Sequence, residues 1–133
     1  MRIALLSCKR RCELMARFCV AYRGILSAHE LCAPSDVARV VSGAAKLNVL
    51  EYLNSDFGGI QQIESRISCG EIDLVFFFRD VLVSFLDTPE NDVLRICDFH
   101  SIPIATNIAI AEVLIHGLER GDLDWREIGV PAI

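Results

Sequence analysis

The sequence predicts an α/β protein: a five-stranded parallel sheet carrying helices on both faces. Three observations carry that prediction. Short apolar runs alternate with amphipathic stretches from one end of the chain to the other, as strands joined by helical crossovers do. Residues 72–78 are apolar on both alternating faces except at Asp73, as a central strand covered on both sides requires. Turn and capping residues fall between the runs, at Pro34-Ser35-Asp36, Gly70, Pro89 and Asn107, where helices should start or stop.

Taken in order, residues 3–6 form a first buried strand, and residues 10–22 a helix with Leu14, Met15, Phe18 and Cys19 at helical spacing. Gly24 is expected to stop that helix. Residues 29–33 read as the second strand, and Pro34-Ser35-Asp36 supplies turn and N-cap chemistry for a helix over residues 37–47. Residues 48–53 read as the third strand. A helix over 59–69 places Ile60, Ile63 and Ile67 on one face and is closed by Gly70. The fourth strand, 72–78, is followed by a helix from Pro89 to about His100, with Thr88 as its cap. Residues 102–106 give the fifth strand, and Asn107 caps a helix to about Leu118. The tail, 122–133, is less patterned.

The chain has 133 residues, 53% apolar and 23% charged, with a net charge of -5; its mean hydropathy is +0.40. At this length, with neither repeat nor linker, residues 1–133 are expected to form a single domain that buries roughly two-thirds of its unfolded surface. The acidic balance argues against nucleic acid as a partner. No apolar run approaches the ~20 residues of a membrane-spanning helix, so no membrane association is expected. Lys9, Arg10 and Arg11 interrupt the apolar start too early for a secretion signal, which suggests a cytoplasmic protein. The six cysteines are scattered through strand and helix patterns with no Cys-x-x-Cys pair, so neither a disulfide scaffold nor a metal site is expected, and no cofactor is called for.

Two places carry chemistry. Gly58-Gly59-Ile60-Gln61-Gln62 opens a helix, where a glycine pair lets backbone N–H groups approach an anion. The fourth strand ends in Arg79-Asp80, at the carboxyl edge where open α/β sheets hold ligands. Lys9, Arg10 and Arg11 follow the first strand, either as an anion-binding cluster at a helix start or as a solvated face. Cys8 and Cys12 flank them. A helix start and nearby cations favour a thiolate, but the reading preferred from the sequence is two small side chains filling a pocket.

The ordered set Gly58-Gly59-x-Gln61-Gln62, Phe77-Phe78-Arg79-Asp80, Leu94-Arg95, residues 102–107 and residues 117–121 resembles bacterial methylglyoxal synthases of clostridial type. The resemblance is strongest between Gly58 and Ile128. It implies a three-layer α/β/α sandwich with strand order 3-2-1-4-5. It also implies a homo-oligomer, hexameric in that family, and conversion of glycerone phosphate to methylglyoxal and inorganic phosphate through an enediolate. Similar domains serve carbamoyl phosphate synthetase as an allosteric module, where they bind without catalysis.

Carried over residue by residue, the resemblance also locates departures. The proton-abstracting aspartate of Gly-Gly-Asp-Gln-Gln falls on Ile60, the histidine after the first strand on Cys8, and a phosphate-holding lysine on Cys12. The Thr-Gly-Thr-Thr phosphate loop falls on Ala33-Pro34-Ser35-Asp36, where Ser35 keeps a hydroxyl and Asp36 would repel phosphate. The Ser-Gly-Pro turn falls on Asn54-Ser55-Asp56, and His-x-Pro-Asp on Asp87-Thr88-Pro89-Glu90 with Asp92 as a competitor. The carboxylates implied for catalysis are thus Asp80 and Glu90, with Asp56 as a further displaced base. The phosphate-binding set is Cys8, Lys9, Cys12, Ser35, Asn54, Ser55, Gly58 and Gly59. Removing a general base costs on the order of 10²–10⁴ in rate. The reading that follows is a catalytically impaired relative that binds a small phosphorylated metabolite or serves oligomer assembly, alone or beside an active paralogue. The other is an active lyase with a displaced base.

Overall fold

In the computed structural model, which describes residues 1–80 and 89–126, the five apolar runs pair as one parallel sheet in the order β3-β2-β1-β4-β5. The strands are β1 (Arg2–Ser7), β2 (Glu30–Pro34), β3 (Val49–Tyr52), β4 (Leu74–Phe78) and β5 (Ile104–Ala105). The helices are α1 (Cys12–Ala21), α2 (Arg23–Leu26), α3 (Ser35–Ala45), α4 (Gly59–Ser68), α5 (Pro89–Phe99) and α6 (Ile108–Arg120). Register is fixed by central pairs such as Leu5 with Phe76 and Ser7 with Phe78.

Alternation along the central strands divides the core into two layers. Ile3, Leu5, Phe76 and Phe78 face Met15 and Phe18 of α1, Val37 and Val41 of α3, and Ile115 of α6. Ala4, Leu6, Val75 and Phe77 face Ile63 and Ile67 of α4 and Val93 and Cys97 of α5. The three consecutive phenylalanines of β4 are each at most 2% exposed, because both faces of the strand are covered. Phe18 stacks at a tilt on Phe76, with ring centroids 5.1 Å apart.

The elements depart from their expected bounds at four places. Gly24 does not end the first helix; the break falls at Tyr22, and Gly24 lies inside α2. Tyr22 leaves helical geometry while its hydroxyl donates to Glu112 of α6 and its ring meets His116 edge-on, so a tertiary contact decides the break. Ser35 and Asp36 are not caps but the first turn of α3, entered from Pro34 without a side-chain cap. Asp73 stands outside β4, where its carboxylate accepts the Arg2 N–H at 2.9 Å. β5 has only two residues, preceded by Pro103, which lacks an N–H to extend the ladder; the Pro103 carbonyl still accepts from Val75 at 3.0 Å. Asn107 caps α6 as expected, its side-chain oxygen accepting the Ile110 N–H at 3.1 Å. The Thr88 cap lies outside the described residues.

Candidate functional site

At the carboxyl edge of the sheet, beside the junction of β1 and β4, lies a cavity of about 370 Å³ whose lining includes Cys8, Lys9, Asp36, Ser55, Ile60 and Asp80. Chain crossovers leave in opposite directions on either side of this junction, which is where open α/β sheets form a ligand crevice. The Cys8 N–H donates to the Phe78 carbonyl at 3.0 Å, drawing the end of β1 alongside Arg79 and Asp80. Leu6, Phe77 and Ile60 supply an apolar wall. A wider cavity of about 890 Å³, lined by Arg2, Arg23, Lys46 and Arg66 among others, is separate from this cleft: Arg2 and Glu30 at its rim begin β1 and β2.

The glycine pair owes its place to packing. The space a Cβ on Gly59 would occupy lies 1.9 Å from the Leu53 carbonyl oxygen, and Gly58 has a left-handed backbone at φ 101°. The Gly59 N–H donates to the Asn54 carbonyl at 3.0 Å instead of facing an open anion site. Gln62 returns to the same turn, its side-chain oxygen accepting the Leu53 N–H at 2.8 Å. This clamp sets the start of α4 and turns Ile60 toward the cleft. Neither Gly58 nor Gly59 is among the lining residues.

The 3-10 turn Ser55–Phe57 is capped by Asn54, whose side-chain oxygen accepts the Asp56 N–H at 2.9 Å. Asn54 is thereby used in local structure. Ser55 is turned onto Asp36: its N–H and its hydroxyl each donate to the Asp36 carboxylate at 2.9 Å. The Lys9 ammonium stands 3.3 Å from the Asp56 carboxylate, both side chains being largely exposed. Ser35 is not among the lining residues, and its N–H donates to the Leu53 carbonyl at 3.3 Å.

Cys12 does not have the activated thiol its neighbours suggest. Burial raises its pKa, a Ser7 hydrogen bond opposes this, and nearby Asp36 and Cys8 add to the rise. Desolvation at the start of α1 outweighs the cations in sequence proximity. The buried thiols are pushed further by burial, Cys19 to about 12 and Cys32 to about 11. All six cysteines are free. Glu90 lies in the first turn of α5, and its side chain falls outside the described residues. The competing Asp92 is exposed, 3.5 Å from Arg95. Among the described residues no group of three or more His, Cys, Asp or Glu side chains gathers as a metal site, and no helix is long and apolar enough to cross a membrane.

The cleft therefore joins Cys8, Lys9, Ser55 and Asp80 from the expected set, and leaves Cys12, Ser35, Asn54, Gly58 and Gly59 off its lining. Sequence reasoning missed the Asp36–Ser55 contact, because nothing local links residues 19 positions apart. The lining carries two cations, Lys9 and Arg10, and three carboxylates, Asp36, Asp56 and Asp80, together with the apolar Leu6, Phe77 and Ile60. Asp80 is the lining carboxylate that follows β4, two residues beyond its end.

No family model matches the chain. It is 47% identical over 134 aligned residues to the methylglyoxal synthase of Caldicellulosiruptor saccharolyticus, covering 100% of this chain and 95% of that protein. It is 43% identical over 129 residues to the methylglyoxal synthase of Oceanobacillus iheyensis, covering 96% and 92%. The fold is similar to the crystal structure of methylglyoxal synthase from Elizabethkingia anophelis NUHP1, with a TM-score of 0.79 and 25% identity over 86% of this chain and 76% of that one.

Proposed function

Because this chain belongs to the methylglyoxal synthase family, we propose that its carboxyl-edge cleft takes a small phosphorylated ketone, glycerone phosphate, and converts it slowly to methylglyoxal and phosphate. Asp80 is the proton acceptor in this reading. Full-length similarity supports the substrate and the reaction. The single observation behind the slow rate is Ile60, which lines the cleft where the family resemblance expects the carboxylate base.

In the reaction, a base takes a proton from the carbon beside the carbonyl, and the C–H electrons form an enediolate. Phosphate then departs with the electron pair of its C–O bond, and the remaining enol tautomerises to methylglyoxal. Asp80 supplies a carboxylate in the cleft lining, while Lys9 and Arg10 offer positive charge to the oxyanion and the phosphate. A base placed off the optimal line forfeits much of the 10²–10⁴-fold that positioned proton transfer contributes. The setting is a cytoplasmic one, where the triose phosphate would be met.

Methylglyoxal released from glycerone phosphate, measured for the parent chain and for Asp80→Asn, tests this. A slow parent rate that falls at least about tenfold in the variant is expected. Equal rates in the two would sink the role of Asp80, and no turnover by either would sink the lyase reading.

A second reading, assembly without turnover, is favoured by the outer face of α6, where Ile110 is 45% and Val113 65% exposed. Under it the chain forms homo-oligomers, hexameric by family resemblance, or joins an active paralogue. Light scattering on Val113→Glu decides: an oligomer that dissociates supports this reading, and an unchanged mass goes against it.

A further inference from the structure

We propose that Asp36 determines which ligands the cleft accepts: its carboxylate is a resident anion held by Ser55, which a ligand phosphate must displace. The inference rests on the phosphate-taking cleft proposed above and adds what regulates its affinity. Ser55 offers two donors to one place, an N–H and a hydroxyl, and both end on Asp36, with the hydroxyl 2.9 Å from each carboxylate oxygen. A backbone N–H and a hydroxyl that converge on one place are the donors a phosphate oxygen takes. Here the first turn of the 11-residue α3 provides the anion from within the chain.

The remaining charges point the same way. Lys9 is matched by Asp56 at 3.3 Å, and the lining carries two cations against three carboxylates. A dianion entering beside Asp36 meets like charge at short range and finds the Ser55 donors already engaged. The Asp36 carboxylate therefore weakens phosphate binding without abolishing it, and leaves the cleft more permissive toward ligands of lower charge. Asp36 thus acts as a specificity determinant, separate from the proton acceptor Asp80.

Calorimetric titration with inorganic phosphate and with glycerone phosphate tests the proposal on the parent chain, Asp36→Ser, Asp36→Asn and Asp122→Asn. Asp122 is exposed and pairs with Arg120, so its variant removes the same charge outside the cleft. Phosphate affinity is expected to rise at least about tenfold in Asp36→Ser, less in Asp36→Asn, whose amide oxygen can still accept from Ser55, and not at all in Asp122→Asn. Unchanged or weaker affinity in a variant that melts as the parent does would overturn the inference, as would an equal gain in Asp122→Asn. Should Asp36→Ser fail to fold, Asp36→Asn decides alone. Glycerone phosphate turnover is read on the parent chain, so its absence counts against the lyase reading whichever way the Asp36 variants move.

Discussion

The interior of the sheet and its carboxyl edge follow different rules, although they share the same strands. Inside, Leu5, Phe76 and Phe78 meet α1, α3 and α6, while Leu6, Val75 and Phe77 meet α4 and α5, and both layers are built of buried apolar side chains. At the edge, a few residues beyond those side chains, Lys9 pairs with Asp56, Ser55 with Asp36, and Ile60 adds an apolar group to a polar rim. The interior gains stability from area removed from water. The edge gains little, because its ion pair is exposed and worth at most about 1 kcal/mol. A family scaffold is therefore held by its interior, and substitutions at the edge bear on ligand and chemistry more than on stability.

The largest stability effect belongs to the interior. Phe76 is fully buried between helices, and Phe76→Ala is expected to cost about 3–5 kcal/mol through lost burial and a residual cavity. Urea unfolding of this variant beside Asp80→Asn sharpens the contrast, since the edge variant should stay close to the parent midpoint. A comparable loss in both would break the distinction between the regions.

Gly59→Ala tests the clamp at the start of α4. Its Cβ would collide with the Leu53 carbonyl, and shifting that backbone should cost about 1–3 kcal/mol, read as a lower denaturation midpoint. If glycine were there to admit a ligand, the variant would instead lose affinity while keeping its stability.

The smallest effect is on thiol reactivity. The thiolate is the nucleophile, so a raised pKa means less of it at neutral pH. Timed alkylation read by mass spectrometry should label exposed Cys69 first. Cys12 should lag at pH 8 and quicken as pH climbs through its raised pKa. Cys19 and Cys97, both pushed to about 12 by burial, should react only on unfolding. Fast labelling of Cys12 at neutral pH would restore the activated thiol and contradict the desolvation argument.

The fold was legible because its information is periodic. Apolar runs and capping residues such as Asn107 are local signals, and strand order followed from the family resemblance. Where a local signal competed with a tertiary contact it misled, as at Tyr22, whose bond to Glu112 sets a helix break that Gly24 was expected to make. The cleft was legible as a place, because a strand ending in Arg79-Asp80 and a helix-opening glycine pair both point to the carboxyl edge. Its wiring was not. The reason for Gly59 lies in the position of the Leu53 carbonyl, and the partner of Asp36 is 19 residues away; neither leaves a mark in local composition.

The proposal on which the rest depends is that Ile60, more than any other departure in the cleft, limits its chemistry. Steady-state phosphate release from glycerone phosphate, compared between the parent chain and Ile60→Asp, tests it most directly. The expected result is a parent rate far below the roughly 1–10³ s⁻¹ of ordinary enzymes, with a gain of about 10²-fold in the variant, near the low end of what a positioned base supplies. A parent that already works at ordinary speed, and a variant no faster, would contradict it.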